Sequence, residues 1–187
     1  MAKAEQRQTR IWAVINRMIR ALAALFVVAV VASCGARETA PQNKFRSYDG
    51  PAVTQIVVKK GERRMHLVSG QSVLKSYDID LGFQPKGHKQ FEGDGKTPEG
   101  VYFIDRRNPN SAYHLSLGIS YPNPQDRANA MIAGLSPGGD IMIHGLGPTG
   151  RALNRRDWTA GCIAVTDEEM EEIYAMLRPG VPIFIYP

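Results

Sequence analysis

Residues 113–121 read YHLSLGISY. Large apolar side chains occupy every second position (Tyr113, Leu115, Leu117, Ile119, Tyr121), with His114, Ser116, Gly118 and Ser120 between them. Successive strand side chains point to opposite faces, so this alternation predicts a β-strand with one face in a core. Comparable runs surround it. Val53–Lys59, Arg64–Val68 and Val73–Leu81 are each followed by turn residues, Val101–Ile104 resumes the pattern, and Asp140–His144 and Val181–Tyr186 are further candidates. Short strands at this spacing predict a mainly β fold, a small sandwich or barrel, rather than alternating β-α-β units.

One helix is well marked. Thr166-Asp167-Glu168-Glu169 fits a capping box, and Met170, Ile173, Tyr174 and Leu177 then share one face. Arg178-Pro179-Gly180 ends it. A shorter helix is expected over 126–134. Residues 82–100, GFQPKGHKQFEGDGKTPEG, form a Gly-rich loop too long for a mere connection.

The chain has 187 residues, 43% of them apolar and 22% charged, which suits one globular domain and excludes a disordered chain. The net charge of +5 is concentrated at one end. Residues 1–33 hold five bases and one acid, leaving 18 bases and 17 acids for 34–187. The body therefore gives no electrostatic case for binding nucleic acid.

Residues 1–33 read as a leader. Basic residues run to Arg20, and Ala21–Ala32 is an uncharged run of twelve residues, the length of a signal-peptide core and short of the roughly 20 that span a bilayer. The run closes on Val31-Ala32-Ser33-Cys34, which resembles the lipobox of bacterial lipoproteins, with Cys34 the lipidated residue. The alternative is an uncleaved signal anchor. Residues 34–52 are polar and aperiodic and read as a tether, leaving 53–187 as the folded domain. Either reading of the leader exports the body to the cell envelope.

The loop end GDGKT at 93–97 falls short of a phosphate-binding loop, because Gln90 stands where the first glycine is required and Pro98 follows at once. The four histidines (His66, His88, His114, His144) are scattered and show no metal-ligand spacing. There remain His144-Gly145 and Thr159-Ala160-Gly161-Cys162. A thiol attacks as its thiolate, and a histidine within hydrogen-bond reach removes the proton and returns it to a leaving amine. Amides around Gly161 and Cys162 would face a tetrahedral oxyanion, and a backbone carbonyl near Gly145 would orient the imidazole. On residue chemistry alone, a buried structural cysteine is an equal alternative.

Asp140–Val165 (DIMIHGLGPTGRALNRRDWTAGCIAV) resembles the catalytic core of the L,D-transpeptidase (YkuD) family, whose signature is a histidine, a loop, then [ST]-x-G-C. Here fourteen residues separate His144 from Thr159. Thr97-Pro98-Glu99-Gly100 matches the family's TPxG turn, and Asn108–Leu117 with Asp157–Met170 look most like its YafK-type branch. The resemblance implies a small β-sandwich or flattened barrel with one prominent helix, acting on peptidoglycan stem peptides without a cofactor. It makes Cys162 the nucleophile, His144 the general base and acid, and Gly161, Gly145 and Thr159 the oxyanion and orienting residues. Ala160 and Ala164 depart from the many members that carry histidine and Arg or Asn there, which leaves transfer against hydrolysis open. Arg151, Arg155 and Arg156 would grip stem carboxylates or form a solvated loop. Trp158 would line the donor groove or pack beneath it, and His114 would join the site or serve the structure. An inactive wall-binding lipoprotein is the reading from another class.

Overall fold

The computed structural model of the chain describes residues 43–153 and 155–187. The leader, Cys34 and the first part of the tether lie outside them.

Eight strands are described: β1 (Gln55–Lys59), β2 (Arg64–Ser69), β3 (Ser72–Asp78), β4 (Gly100–Asn108), β5 (Ser116–Ile119), β6 (Met142–His144), β7 (Ile163–Ala164) and β8 (Pro182–Tyr186). They form one sheet in the order β3-β2-β1-β8-β4-β5-β6-β7. The first three are a meander of antiparallel pairs. β8 returns to lie parallel to β1 and antiparallel to β4, and β7 lies parallel to β6. One face of this sheet curls around a core that takes Ile56, Val58, Met65, Leu67, Ile104, Leu117, Ile143, Ile163 and Ile183 from seven different strands. The mainly β expectation holds, realised as one curled sheet.

Three helices are described: α1 (Pro124–Ile132), α2 (Gly147–Leu153) and α3 (Asp167–Met176). At α3 the capping box closes both ways: Thr166 Oγ1 accepts the Glu169 amide and Glu169 accepts the Thr166 amide. Its buried Met170, Ile173 and Tyr174 seal the core. Each such side chain removed from water contributes about 1.5–3 kcal/mol. α1 begins two residues before the expected start, because Asn123 and Asp126 form a second capping box with Pro124 at the first turn, where a missing amide costs nothing. α2 falls where a polar loop was expected.

The alternating segment 113–121 is strand only over Ser116–Ile119. His114 has a left-handed φ of 73°, and its Nε2 meets Glu171 Oε1 of α3 at 2.9 Å. That contact breaks the alternation before Leu115.

The long loop 82–100 is organised by two charged side chains. The Asp94 carboxylate accepts the amides of Gln90, Phe91 and Lys96 and the ammonium of Lys89. The buried Lys60 ammonium donates to the Gly87 and Thr97 carbonyls and to Glu99 at 2.7–2.9 Å. GDGKT is thus a carboxylate-centred turn leading into β4. Bridges Asp80–Ala164 and Gly82–Thr159 join the entrance of this loop to the cysteine segment. The tether's last residues also engage the domain: Lys44 Nζ donates to the Pro109 and His114 carbonyls, and Arg46 pairs with Glu171.

Candidate active site

Strand register brings the two signature residues together. His144 lies opposite Ala164 in the parallel β6–β7 ladder, and Cys162 stands two residues before Ala164. Positions two apart share a face, so the imidazole and the thiol project from the same side of neighbouring strands, diagonal to one another. This side is opposite the core. Ser116 joins it directly across from His144 on β5, and Gly118 across from Met142. Ser116 Oγ is buried and has no hydrogen-bond partner among the described residues.

His144 is 3% exposed, and burial pushes its pKa down, against the opposing pull of the Gly145 carbonyl and the Asp167 carboxylate. The ring is therefore neutral at pH 7. Its Nδ1 sits 2.6 Å from Gly145 O, which can only accept, so the proton is on Nδ1 and Nε2 carries the lone pair. Tyr113 packs on the ring at 4.6 Å between centroids, and Trp158 meets it edge-on at 5.6 Å. The orienting carbonyl expected near Gly145 is thus Gly145's own. A side chain there would put its Cβ 2.5 Å from Asp167 Oδ1.

The segment before β7 is folded by Thr159. Its Oγ1 donates to the Cys162 carbonyl at 2.7 Å and accepts the Gly161 amide at 3.1 Å. Its backbone pairs with Leu81 and Phe83 across the loop entrance. The Gly161 amide, expected to face an oxyanion, already donates to the Thr159 hydroxyl. Gly161 is needed for another reason: its φ is 137°, and a Cβ there would stand 2.6 Å from the Lys96 carbonyl.

The thiol is partly exposed. Burial raises its pKa, an effect the Met142 amide opposes, and among nearby charges Asp140 raises it while Lys89 and Arg106 lower it. Its hydrogen bond runs to the Asp140 carbonyl at 3.5 Å rather than to the imidazole. Both shifts favour the uncharged forms, of the thiol and of the imidazole.

The weaker candidates separate. Arg151, Arg155, Arg156 and Trp158 line one cleft of ≈ 470 Å³ with Asp80, Leu146 and Gly150. Arg156 pairs with Asp80 at 2.8 Å, and Arg151 pairs with Asp167. Arg155 is exposed at the rim. Trp158 is buried with its indole nitrogen unpartnered among the described residues, so it both lines the cleft and supports His144. His114 is bound to Glu171 and serves the structure.

Sequence reading missed three contributors. Tyr113 was placed on the core face, yet it packs on His144. Asp157 receives Arg63 through both carboxylate oxygens and accepts the Leu81 amide, fixing the cysteine segment to the β1–β2 turn and to the chain just after β3. Asp167, legible as a first-turn residue of α3, accepts the Gly147 amide at 2.9 Å behind the histidine. Each pairing spans a sequence distance that local pattern does not reveal.

Residues 53–185 match the YkuD family model, the L,D-transpeptidase catalytic domain. YafK of Escherichia coli (strain K12) is 30% identical over 149 residues, which are 73% of this chain and 54% of YafK. The helical cell shape determining protein Pgp2 from Campylobacter jejuni superposes with a TM-score of 0.57 at 25% identity, covering 78% of this chain and 51% of Pgp2. Bd1075 of Bdellovibrio bacteriovorus shares the fold, with a TM-score of 0.51 at 24% identity over 76% of this chain and 50% of its own. The chain spans about half the length of these relatives. By its histidine, its Thr-x-Gly-Cys turn and the match that covers them, it belongs to the L,D-transpeptidase catalytic domain (YkuD) family.

Proposed function

We propose that this protein is a cofactor-free cysteine acyltransferase acting on peptidoglycan stem peptides in the bacterial cell envelope, held at the membrane by a lipid on Cys34. The reading rests on one observation above the rest: His144 Nδ1 is committed to Gly145 O, which leaves Nε2 as the base on the face that carries Cys162.

Nε2 takes the proton from Sγ as sulfur attacks the peptide carbonyl. The oxyanion develops beside the Cys162 amide, and the tetrahedral species collapses as the imidazolium hands its proton to the departing amine. This leaves a thioester on Cys162. An incoming amine completes transfer, and water completes hydrolysis. A buried, neutral imidazole suits this cycle because it can accept the proton without a prior charge to displace. The cleft with Arg151, Arg155, Arg156 and Trp158 offers cations and an aromatic wall to an anionic peptide.

Incubation of the purified protein with muropeptides, followed by mass spectrometry of the products, tests the reading. New cross-linked dimers mean transfer, and shortened or released stems mean hydrolysis. Products unchanged by Cys162→Ala, with wall binding retained, would mean a binding protein instead.

A further inference from the structure

β4 carries a bulge: Ile104 pairs with Ile119, but the next pairing is Arg106 with Gly118, so Asp105 is the extra residue. A bulge re-aims the side chains that follow it. Here it turns Arg106 onto the face that holds Gly118, Met142, His144 and Cys162. Gly118 makes the space. A Cβ at that position would stand 2.6 Å from Arg106 Cγ and 2.8 Å from its Nη1, so the arginine lies across the strand in a trough that only glycine provides. The guanidinium ends on two carboxylates, Asp105 at 3.0 Å and Asp140 at 2.8 Å. Asp140 is the residue whose carbonyl holds the Cys162 thiol, and it does so from a left-handed φ of 53°.

Both ion pairs are at the surface; the Asp140 side chain is 89% exposed. Such pairs are worth about 0–1 kcal/mol and exchange readily. A guanidinium is permanently charged and matches a carboxylate with two parallel donors. The strand, the glycine and the aspartate thus hold a cation at the lip of the thiol's groove on weak, replaceable partners.

We infer that Arg106 reads a carboxylate of the peptide substrate, exchanging the Asp140 side chain for it. This rests on the acyl-transfer reading for the identity of the substrate, and it adds the residue that selects an anionic donor. Binding of the correct donor thus draws Arg106 away from Asp140, the residue whose carbonyl accepts from the Cys162 thiol. The carboxylate comes either from the peptide's C-terminus or from its third residue's side chain.

The test uses a stem tetrapeptide, its C-terminal amide, and a form whose third-residue side-chain carboxylate is blocked as an amide. KM and kcat are measured on wild type, Arg106→Ala and Arg106→Lys, and Kd by calorimetry on the same arginine variants in an inert Cys162→Ala background. Arg106→Ala is expected to raise KM and Kd for the free acid about tenfold, the loss of one bidentate carboxylate contact, with partial recovery in Arg106→Lys. The blocked form that already lacks the carboxylate read by Arg106 is expected to bind wild type and variant equally, which identifies the source. Equal weakening for all three peptides, or none for any, overturns the inference. A wild type that binds the tetrapeptide but never turns it over refutes acyl transfer, while the binding comparison still decides the role of Arg106.

Discussion

The hydroxyl of Thr159 donates to the carbonyl of Cys162 at 2.7 Å while accepting the amide of Gly161, so one side chain closes the turn on which the thiol stands. Replacing Thr159 with valine keeps the shape and removes both bonds, leaving buried groups unpaired at about 1–3 kcal/mol each. Thr159→Val is expected to lower kcat/KM by one to two orders of magnitude, in line with misplacement of the nucleophile. Thr159→Ser should retain most of the activity. Steady-state kinetics beside a thermal melt checks this.

The thiol's pKa is raised by burial, so thiolate forms only at higher pH than for an ordinary cysteine, whose pKa is about 8.5. Alkylation of Cys162 by iodoacetamide should be slow at pH 7 and should still be accelerating above pH 8.5. Removing the base with His144→Ala should abolish peptide turnover yet leave the alkylation profile in the same alkaline range. A profile centred below pH 7 would indicate a preformed thiolate–imidazolium pair.

Gly145→Ala would place a methyl 2.5 Å from Asp167 Oδ1 and 3.0 Å from the Tyr113 carbonyl. Overpacking of this kind costs about 1–3 kcal/mol. The expected result is a clearly lowered Tm together with lost activity, because the displaced groups are those that hold the histidine.

Burial alone would raise the Asp157 carboxyl, but Arg63 and the Leu81 amide outweigh it and leave the pKa below the ordinary range. A carboxylate depressed in the fold contributes stability above its unfolded pKa of about 3.9, and that contribution is lost as pH falls through the folded value. Arg63→Ala should therefore lower the Tm by several degrees at pH 7, corresponding to about 1–3 kcal/mol. The gap to wild type should close below about pH 4. Melts across this range in constant salt are the check.

Most strands and the α3 capping box were legible because period and capping are local rules, and Thr166 with Glu169 obeys them, whereas the two-residue β7 carries no period to read. His144 and Cys162 stood out on residue chemistry as one of two equal alternatives, and the family resemblance singled them out. What escaped depends on contacts between distant segments. His114 ends a strand because Glu171, far along the chain, captures its ring. α2 begins with Gly147-Pro148-Thr149-Gly150, a turn-like string, and is held by the Asp167 carboxylate and by Gly150 lying against Trp158. The bulge that aims Arg106 has no local signature beyond the glycine opposite it. The Gly161 amide was expected in the groove because the Thr159 hydroxyl's competition for it is a matter of geometry.

The most direct test is the intact mass of the protein after exposure to a stem tetrapeptide with no amine acceptor, quenched in acid. The account predicts a hydroxylamine-sensitive adduct on Cys162, equal in mass to the peptide less its terminal amino acid released whole, the departing amine carrying the Sγ proton, present in wild type and missing in Cys162→Ala and His144→Ala. Turnover of the peptide that persists undiminished in Cys162→Ala would contradict it.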